Sequence, residues 1–215
     1  MPQKTISFNK VKIDDLVQIV NIDEQDGREI FQEWFGYDYL LSEEDMFFLE
    51  NMIDKYGRFV TDFSEEELKI KYLAPILNRV DYYFGDVKDW YERPLKAKIN
   101  GVWLKGTTDF MVAKGISEPR RPYFFIQEFK KARGGAADPK SHLLAEMLVA
   151  IALTQTDIMR GAYIIGRNWI FVMLKRESNG TRYPYFLSKQ FDSLEIEHLK
   201  QIYVNLQAVK YLYCN

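Results

Sequence analysis

Two kinds of hydrophobic repeat alternate along the chain, and they predict its helices and strands. Before residue 63, apolar residues come in short helical groups such as IDDLVQIV. A longer group from Ser42 to Tyr56 begins with SEED, which resembles a helix capping box. Ser64 then precedes three glutamates and LKIKYLAPILNRV, whose apolar residues repeat at helical spacing. Pro75 within this run predicts a kink or a short break.

Strand-like runs follow this helix. They are LKAKINGVWLKG, TTDFMVAKG and RPYFFIQEFK, separated by glycines and by the turn from Pro119 to Pro122. After the loop ARGGAADP, the segment SHLLAEMLVAIALTQ is apolar on nearly all sides, which predicts a helix buried against a sheet. GAYIIG and NWIFVMLKR predict two more strands, and residues 191–213 have the apolar stripe of a final amphipathic helix.

This order of elements predicts an α/β fold with a mixed central sheet flanked by helices. A chain of 215 residues that is 47% apolar and 28% charged is typical of a globular protein with one domain. We therefore divide the chain into a helical N-terminal extension, residues 1–62, and a single domain, residues 63–215.

The charge and the cysteine content narrow the classes of protein. A net charge of −2 and a pI near 5.8 argue against a surface built throughout to bind polyanions, so any nucleic-acid contact should be local. Cys214 is the single cysteine, which excludes an internal disulfide and favours a cytoplasmic location. The N-terminus lacks a signal-peptide layout. The run MLVAIAL is far shorter than the roughly 20 residues that cross a bilayer, so we expect neither export nor a membrane span.

The metal-binding residue types point to carboxylates. His142 and His198 are the two histidines, and with one cysteine they exclude the usual zinc sites of paired Cys and His. The ligands of any bound metal are therefore expected to be Asp and Glu side chains.

Three charged residues lie within apolar strand-like runs. Glu128 and Lys130 alternate with apolar residues in PYFFIQEFK, so they point to the same side of that strand. Asp109 lies in the preceding run, TTDFMV. Pairing of the two strands would bring Asp109 near Glu128, and two close carboxylates repel unless a cation holds them. The pattern predicts a Mg²⁺ site, beside which Lys130 can orient a water molecule and neutralise charge on a phosphoryl group.

With GTTDF on one strand and IQEFK on the next, these residues resemble the D…(D/E)xK signature of the PD-(D/E)xK nucleases. The helix EEELKIKYLAPIL before them, the helix SHLLAEMLVAIAL after them and the strand pair GAYIIGRNWIFVML are similar to the nuclease domain at the N-terminus of type I restriction-enzyme motor subunits. The resemblance extends from Phe63 to Lys175, a little over half of the chain.

The resemblance implies a restriction-endonuclease-like core with the order αβββαβ, and a nuclease that uses Mg²⁺, or Mn²⁺ in its place, to cleave DNA. Asp109 and Glu128 would be metal ligands and Lys130 would position the water. An acidic residue of the first helix would assist the metal site. Glu65 matches it best, and its two neighbouring glutamates remain alternatives.

Two features depart from the family pattern. Many relatives carry a glutamine on the helix after ExK and a tyrosine four residues later, whereas this chain has His142 and Glu146 at that spacing. A P-loop of the form GxxxxGK[ST] is absent from the sequence, so a different polypeptide would have to supply any ATP-driven motor.

Simpler interpretations remain open for each charged group. Glu128 and Lys130 also fit an ion pair on an edge strand, which contributes little energy. Lys131, Arg133 and Lys140 flank a glycine pair and fit either a contact with the nucleic-acid backbone or a solvated basic loop.

Two alternatives to a nuclease also remain. The first is a catalytically weak or inactive module of the same fold that binds nucleic acid or protein. The second is a subunit whose N-terminal segment binds a protein partner. The sequence does not distinguish DNA from RNA or endonuclease from exonuclease, and it does not define an oligomeric state.

Overall fold

A computed structural model describes residues 4–129, 138–177 and 180–214, with the backbone alone for residues 127–129. Its first part contains short strands and helices. They are β1 (Thr5–Ser7), α1 (Ile13–Ile19), β2 (Asn21–Glu24), α2 (Gln32–Phe35) and α3 (Glu43–Tyr56). The hydroxyl of Ser42 accepts a hydrogen bond from the Asp45 N–H, and the Asp45 carboxylate accepts one from the Ser42 N–H. The predicted capping box of α3 is therefore confirmed.

The helix predicted after Ser64 is present, but it changes its winding ahead of Pro75. It consists of α4 (Glu65–Glu67), a π-helical segment (Leu68–Leu73) and α5 (Ala74–Val80), which follow one another without a gap. Proline has no N–H to donate to the preceding turn and its ring crowds that turn, so a wider turn lets the helix continue. We call residues 65–80 the composite helix.

The remaining elements contain most of the sheet. They are β3 (Val87–Ile99), β4 (Val102–Lys114), β5 (Arg121–Phe129), α6 (Pro139–Thr154), β6 (Ile158–Ile165), β7 (Asn168–Lys175), β8 (Arg182–Leu187), β9 (Phe191–Asp192) and α7 (Ile196–Ala208). A π-helical turn (Val209–Tyr213) follows α7. The predicted order of helix, three strands, helix, two strands and helix is confirmed, and β8 and β9 are additional to it.

The bounds of the first two predicted strands were wrong. LKAKINGVWLKG is the tip of a β-hairpin rather than one strand. β3 and β4 pair antiparallel, and the pair nearest the turn is Ile99 with Val102. Asn100 and Gly101 form the two-residue turn, with φ angles of 46° and 86°. Asn-Gly favours this turn because both residues adopt left-handed conformations at low cost. The run TTDFMVAKG, without its final glycine, is the second half of β4.

The described strands form one mixed sheet. Its order is β1-β4-β5-β6-β7-β8-β2, with β3 paired to β4 and β9 paired to β7. β5 and β6 are parallel neighbours, and α6 is the crossover between them. The β4–β5 and β6–β7 pairs are antiparallel. The structure therefore has the mixed α/β architecture that the sequence predicted.

Helices cover both faces of the sheet. One face packs against the composite helix, α2, α3 and α7, and its core contains Tyr72, Phe124 and Phe171. The other face packs against α1 and α6, and α6 is buried continuously from Ser141 to Ile151. Among the helices of the described residues, none is long and apolar enough to cross a membrane.

Residues 1–62, predicted as a helical extension, also contain strands of the sheet. β1 pairs with β4, and β2 pairs with β8. Trp34 is fully buried, and its indole N–H donates a hydrogen bond of 2.8 Å to the carbonyl of Asn205. The purely helical description was wrong because strands of three or four residues are too short to show a repeat of their own. The domain boundary at residue 62 remains a prediction.

Candidate functional site

Asp109 lies on β4, the strand that pairs with β3 on one side and with β5 on the other. The adjacent residue, Phe110, is opposite Ile126 of β5. Glu128 follows Ile126 by two residues on the same strand. The strand that carries Asp109 and the strand that carries Glu128 are therefore neighbours, as the sequence predicted.

The carboxylate of Asp109 shares a positive charge with a second acid. The ammonium Nζ of Lys69, on the composite helix, lies 3.5 Å from Oδ1 of Asp109 and 3.2 Å from Oε1 of Glu92. The Lys69 and Asp109 side chains are about one-fifth exposed, while Glu92 is 63% exposed. The ammonium thus offsets the repulsion between two carboxylates that belong to adjacent strands.

Glu92 reaches this position through the pairing of β3 with β4. Tyr91 is opposite Phe110 and Arg93 is opposite Thr108, so the intervening Glu92 is aligned with Asp109. Glu92 has a φ of 50°, a left-handed conformation that is uncommon for a residue other than glycine. Such a conformation is held in place by the surrounding structure.

The three glutamates at the start of the composite helix differ in their exposure and in their contacts. Glu67 accepts hydrogen bonds from Lys71 and from the Ser64 N–H, and together these contacts lower the pKa of Glu67 to about 2. Glu66 is exposed, whereas Glu65 is half-buried and precedes Lys69 by four residues. Residues four apart share one side of a helix. Which of the three glutamates assists the site remains a prediction, with Glu65 as the first choice.

A buried acid and a histidine lie on α6, which packs on the same sheet. Glu146 is fully buried, and its Oε1 lies 3.3 Å from Nε2 of His142. Neither carboxylate oxygen of Glu146 accepts a hydrogen bond from any described residue. The pKa of Glu146 is raised to about 7, mainly because its carboxyl group is buried. The interaction with His142 opposes this rise, and the charge of Asp109 adds to it. A carboxyl group in this setting keeps its proton at pH values well above the ordinary pKa of a glutamate.

An apolar cavity of about 130 Å³ adjoins Asp109. The composite helix contributes one wall, with Ile70, Leu73, Ala74 and Leu77 beside Lys69. The three sheet residues in the other wall come from three adjacent strands, and they are Tyr91, Phe110 and Ile126. Lys69 and Asp109 also contribute to its lining, but the surface that the lining exposes is almost wholly apolar.

The predicted basic contacts are described in part. Lys140 lies at the start of α6, where its Nζ is 3.0 Å from Oε2 of Glu24. Its charge is therefore already balanced by a carboxylate of β2. Lys130, Lys131 and Arg133 lie outside the described residues, as does the side chain of Glu128.

Lys69 and Glu92 were not predicted from the sequence. Lys69 follows Glu65 at helical spacing, but that spacing alone does not distinguish it from a lysine in a solvated helix face. Glu92 could have been found by counting outward from the Asn100-Gly101 turn, which aligns it with Asp109.

The chemistry of the site is that of carboxylates arranged around a cation. Asp109 and Glu92 already contact one ammonium, and carboxylate oxygens are the ligands that Mg²⁺ prefers. Within residues 4–129, 138–177 and 180–214, no group of three or more His, Cys, Asp and Glu side chains is arranged to hold a metal. A complete Mg²⁺ site on β4 would thus need a further acid, and Glu128 is the acid on the neighbouring strand.

No family model matches the chain, and no curated protein sequence matches it.

Proposed function

We propose that this protein is a Mg²⁺-dependent nuclease with a restriction-endonuclease-like core, which hydrolyses phosphodiester bonds of DNA. The observation that supports the proposal most is the pairing of β4 with β5. It makes neighbours of the strand with Asp109 and the strand with Glu128. In sequence, Lys130 is the next residue after β5. The order of the composite helix, β3, β4, β5, α6 and β6 agrees with the αβββαβ order of that core.

Asp109 and Glu128 are the residues that would hold Mg²⁺ or Mn²⁺, with Glu65 as the assisting acid. The contact of Asp109 and Glu92 with one ammonium supports a cation-binding role for this part of the sheet. When bound, the metal supplies a water molecule of lowered pKa and stabilises the negative charge that develops on the phosphoryl oxygens.

The basic residues of the chain have separate tasks in this proposal. Lys130 orients the attacking water and neutralises charge on the phosphoryl group. Lys69 would be available to a DNA phosphate if a metal bound at Asp109 in place of its ammonium. Lys131, Arg133 and Lys140 contact the nucleic-acid backbone, where each cation displaces a condensed counterion.

One observation favours the second candidate, a module of this fold that binds nucleic acid or protein without cleavage. The ammonium of Lys69 already compensates Asp109, so the carboxylate is stable without a metal. In this case Asp109 would be a structural residue, and a divalent cation would not bind to it.

Cleavage assays on supercoiled and single-stranded DNA, with Mg²⁺ or Mn²⁺, distinguish the two candidates. We expect the wild type to cleave, and Asp109→Asn and Lys130→Met to lose at least about 100-fold in rate while their folding is retained. Asp54→Asn, an exposed residue of α3, is the matched control and should cleave like the wild type.

Mn²⁺ binding, followed by electron paramagnetic resonance, gives a second measurement that is independent of activity. Asp109→Asn should bind Mn²⁺ more weakly than the wild type and than Asp54→Asn. A wild type that neither cleaves DNA nor binds Mn²⁺ would exclude the nuclease and leave the binding module.

A further inference from the structure

The tip of the β3–β4 hairpin has a buried face and an exposed face. Its buried residues belong to the core that α1 and α6 cover, and they are Leu95, Ala97, Ile99 and Leu104. Lys96, Lys98 and Lys105 alternate with them and are exposed. Because successive residues of a strand point to opposite sides, the three lysines share the exposed face. We call the surface formed by these three lysines the basic face.

The register of the hairpin brings like charges together on the basic face. Lys96 lies directly opposite Lys105. The Cβ atoms of directly opposite residues are about 5 Å apart, and like charges in such a pair destabilise a sheet. Among residues 4–129, 138–177 and 180–214, no carboxylate forms an ion pair with Lys96, Lys98 or Lys105. An anion from outside the chain would therefore relieve a repulsion that the described residues leave uncompensated.

The hairpin tip is basic in a chain that is acidic as a whole. Residues 93–108 include Arg93 and the three lysines of the basic face, and they contain no Asp or Glu. The whole chain has 31 Asp and Glu against 29 Lys and Arg, so acids are absent from the tip although they are common elsewhere. A local excess of cations of this kind is typical of a surface that contacts a polyanion.

β4 leads from the basic face to Asp109. Lys105 and Thr107 are exposed and Asp109 is half-buried, whereas Thr108 and Phe110 are buried. Alternation along the strand therefore places Lys105, Thr107 and Asp109 on one side. Lys105 precedes Asp109 by four residues, which is about 13 Å of strand. A polyanion that reaches Asp109 can thus extend along β4 to the basic face.

The neighbours of the lysines suit a phosphate backbone. Thr5 and Ser7 of β1 lie opposite Trp103 and Lys105, so their hydroxyl groups border the basic face. Ammonium and hydroxyl groups are common donors to the phosphate oxygens of nucleic acids. An anionic membrane would instead favour apolar side chains that insert beside the cations, whereas Thr5 and Thr107, which are exposed beside the lysines, are polar.

We infer that the basic face binds the sugar–phosphate backbone of the DNA substrate on one side of the cleavage position. This inference rests on the proposed nuclease function and locates a part of its substrate on the hairpin. Contacts with phosphates carry no sequence information directly. The basic face therefore supplies affinity and orientation, and not a preference for particular bases.

The salt dependence of DNA binding tests the inference. Fluorescence anisotropy measures the affinity for a labelled duplex at several NaCl concentrations, in EDTA to prevent cleavage. The variant carries Lys96→Gln, Lys98→Gln and Lys105→Gln. We expect the slope of the logarithm of the binding constant against the logarithm of the salt concentration to become shallower by about 3, because each lost phosphate contact removes about 0.9 from it.

The matched control removes the same number of charges from exposed positions elsewhere. It carries Lys55→Gln on α3, Lys114→Gln at the end of β4 and Lys189→Gln after β8. Its net charge equals that of the hairpin variant, but its slope should remain that of the wild type. Equal slopes of the two triple variants would overturn the inference.

A second measurement uses the wild-type protein alone. Lysines are acetylated with and without DNA in EDTA, and mass spectrometry locates the modified residues. DNA should slow the acetylation of the three lysines of the basic face but not that of the three control lysines. The inference is wrong if DNA leaves the basic face as reactive as it is in the free protein.

Poly-glutamate distinguishes DNA from an acidic protein as the partner. Its charges are more widely spaced than those of duplex DNA and release fewer counterions, so the wild type should bind it more weakly than DNA. Binding as tight as that of DNA, with the same loss in the hairpin variant, would overturn DNA as the partner and favour an acidic protein.

The nuclease and the basic face fail in different ways. If cleavage depends on Asp109 and a divalent metal while the hairpin variant keeps the wild-type slope, the nuclease stands and the basic face is wrong. If the wild type shows no cleavage and no Mn²⁺ binding but the hairpin variant has the shallower slope, the chain binds DNA through the basic face without being a nuclease.

Discussion

Lys69 is the residue that changes the interpretation of Asp109. In sequence Asp109 was an acid in an apolar strand, but in the fold its carboxylate shares an ammonium with Glu92. A metal that binds to Asp109 has to compete with this ammonium. The strength of that competition depends on a residue 40 positions away in sequence.

We expect Lys69→Met to lower the stability of the metal-free protein by about 0.5–1 kcal/mol, because two partly shielded carboxylates then lack their shared cation. The same variant should bind Mn²⁺ more tightly than the wild type. Thermal unfolding in EDTA and in MnCl₂ measures both effects. Lys71→Met removes an exposed ion pair with Glu67 and should change neither quantity appreciably. Unchanged or weaker Mn²⁺ binding by Lys69→Met would show that the ammonium does not occupy the metal position.

Glu146 makes stability depend on pH. Its pKa is about 7 in the folded protein and near 4.5 when unfolded, so between these values the folded state keeps a proton that the unfolded state has released. The free energy of unfolding should therefore decrease by about 3 kcal/mol as the pH rises from about 4.5 to about 7, and then level off.

Glu146→Gln keeps the shape of the side chain and removes this titration. Relative to the wild type, the variant should become more stable as the pH rises through that window, and urea unfolding at several pH values measures the difference. Glu50→Gln, at an exposed position of α3, is the control. A stability difference that is independent of pH would mean that Glu146 is ionised in the fold.

At the scale of elements, the β3–β4 hairpin determines which residues meet Asp109. The Asn100-Gly101 turn sets the register, and that register aligns Glu92 with Asp109. A slip of one residue would move every side chain of the strand to the opposite face. The side chain of Asn100 also donates a hydrogen bond of 2.8 Å to the carbonyl of Ile19, which ties the hairpin to α1.

Gly101→Val should destabilise the protein by about 1–3 kcal/mol, because φ at this position is 86° and a β-branched residue is strained there. Chemical denaturation measures the loss. Lys98→Ala, an exposed change on β3, controls for the loss of a side chain near the turn and should have little effect. Equal stabilities would imply that the turn adopts another conformation.

At the scale of the whole molecule, the N-terminal segment is part of the core. The ring of Trp34 contacts Phe124 and Phe171 edge to face, and β2 extends the sheet along β8. A surface of this segment that binds a protein partner is an alternative prediction from the sequence. That role remains a prediction, but the buried part of the segment is occupied by contacts within the chain.

Removal of residues 1–62 should abolish cooperative folding, because the buried surface under Trp34 and the edge of β8 become exposed. Trp34→Ala in the full chain should cost about 3–5 kcal/mol. Near-ultraviolet circular dichroism and thermal unfolding measure both. If residues 63–215 alone unfold cooperatively at nearly the same temperature as the full chain, the segment is a separate unit. The predicted domain boundary at residue 62 would then be correct.

Most helices and strands could be predicted from the sequence, because their patterns are local. Helical periodicity and capping residues identified α3, the composite helix, α6 and α7, because a helix is stabilised by contacts between residues three and four apart. Alternation and apolar runs identified β5, β6, β7 and the second half of β4, because successive side chains of a strand point to opposite faces. The pairing of the Asp109 strand with the Glu128 strand could also be predicted, since strands that are consecutive in sequence usually pair in space.

The tertiary structure alone decided which side chains share a site. Lys69, Glu92 and Asp109 come from a helix and two strands, and they meet because the hairpin register and the packing of the helix on the sheet bring them together. The full burial of Glu146 likewise depends on the sheet that covers α6. Charge interactions and burial depend on distances through space, whereas periodicity reports only distances along the chain.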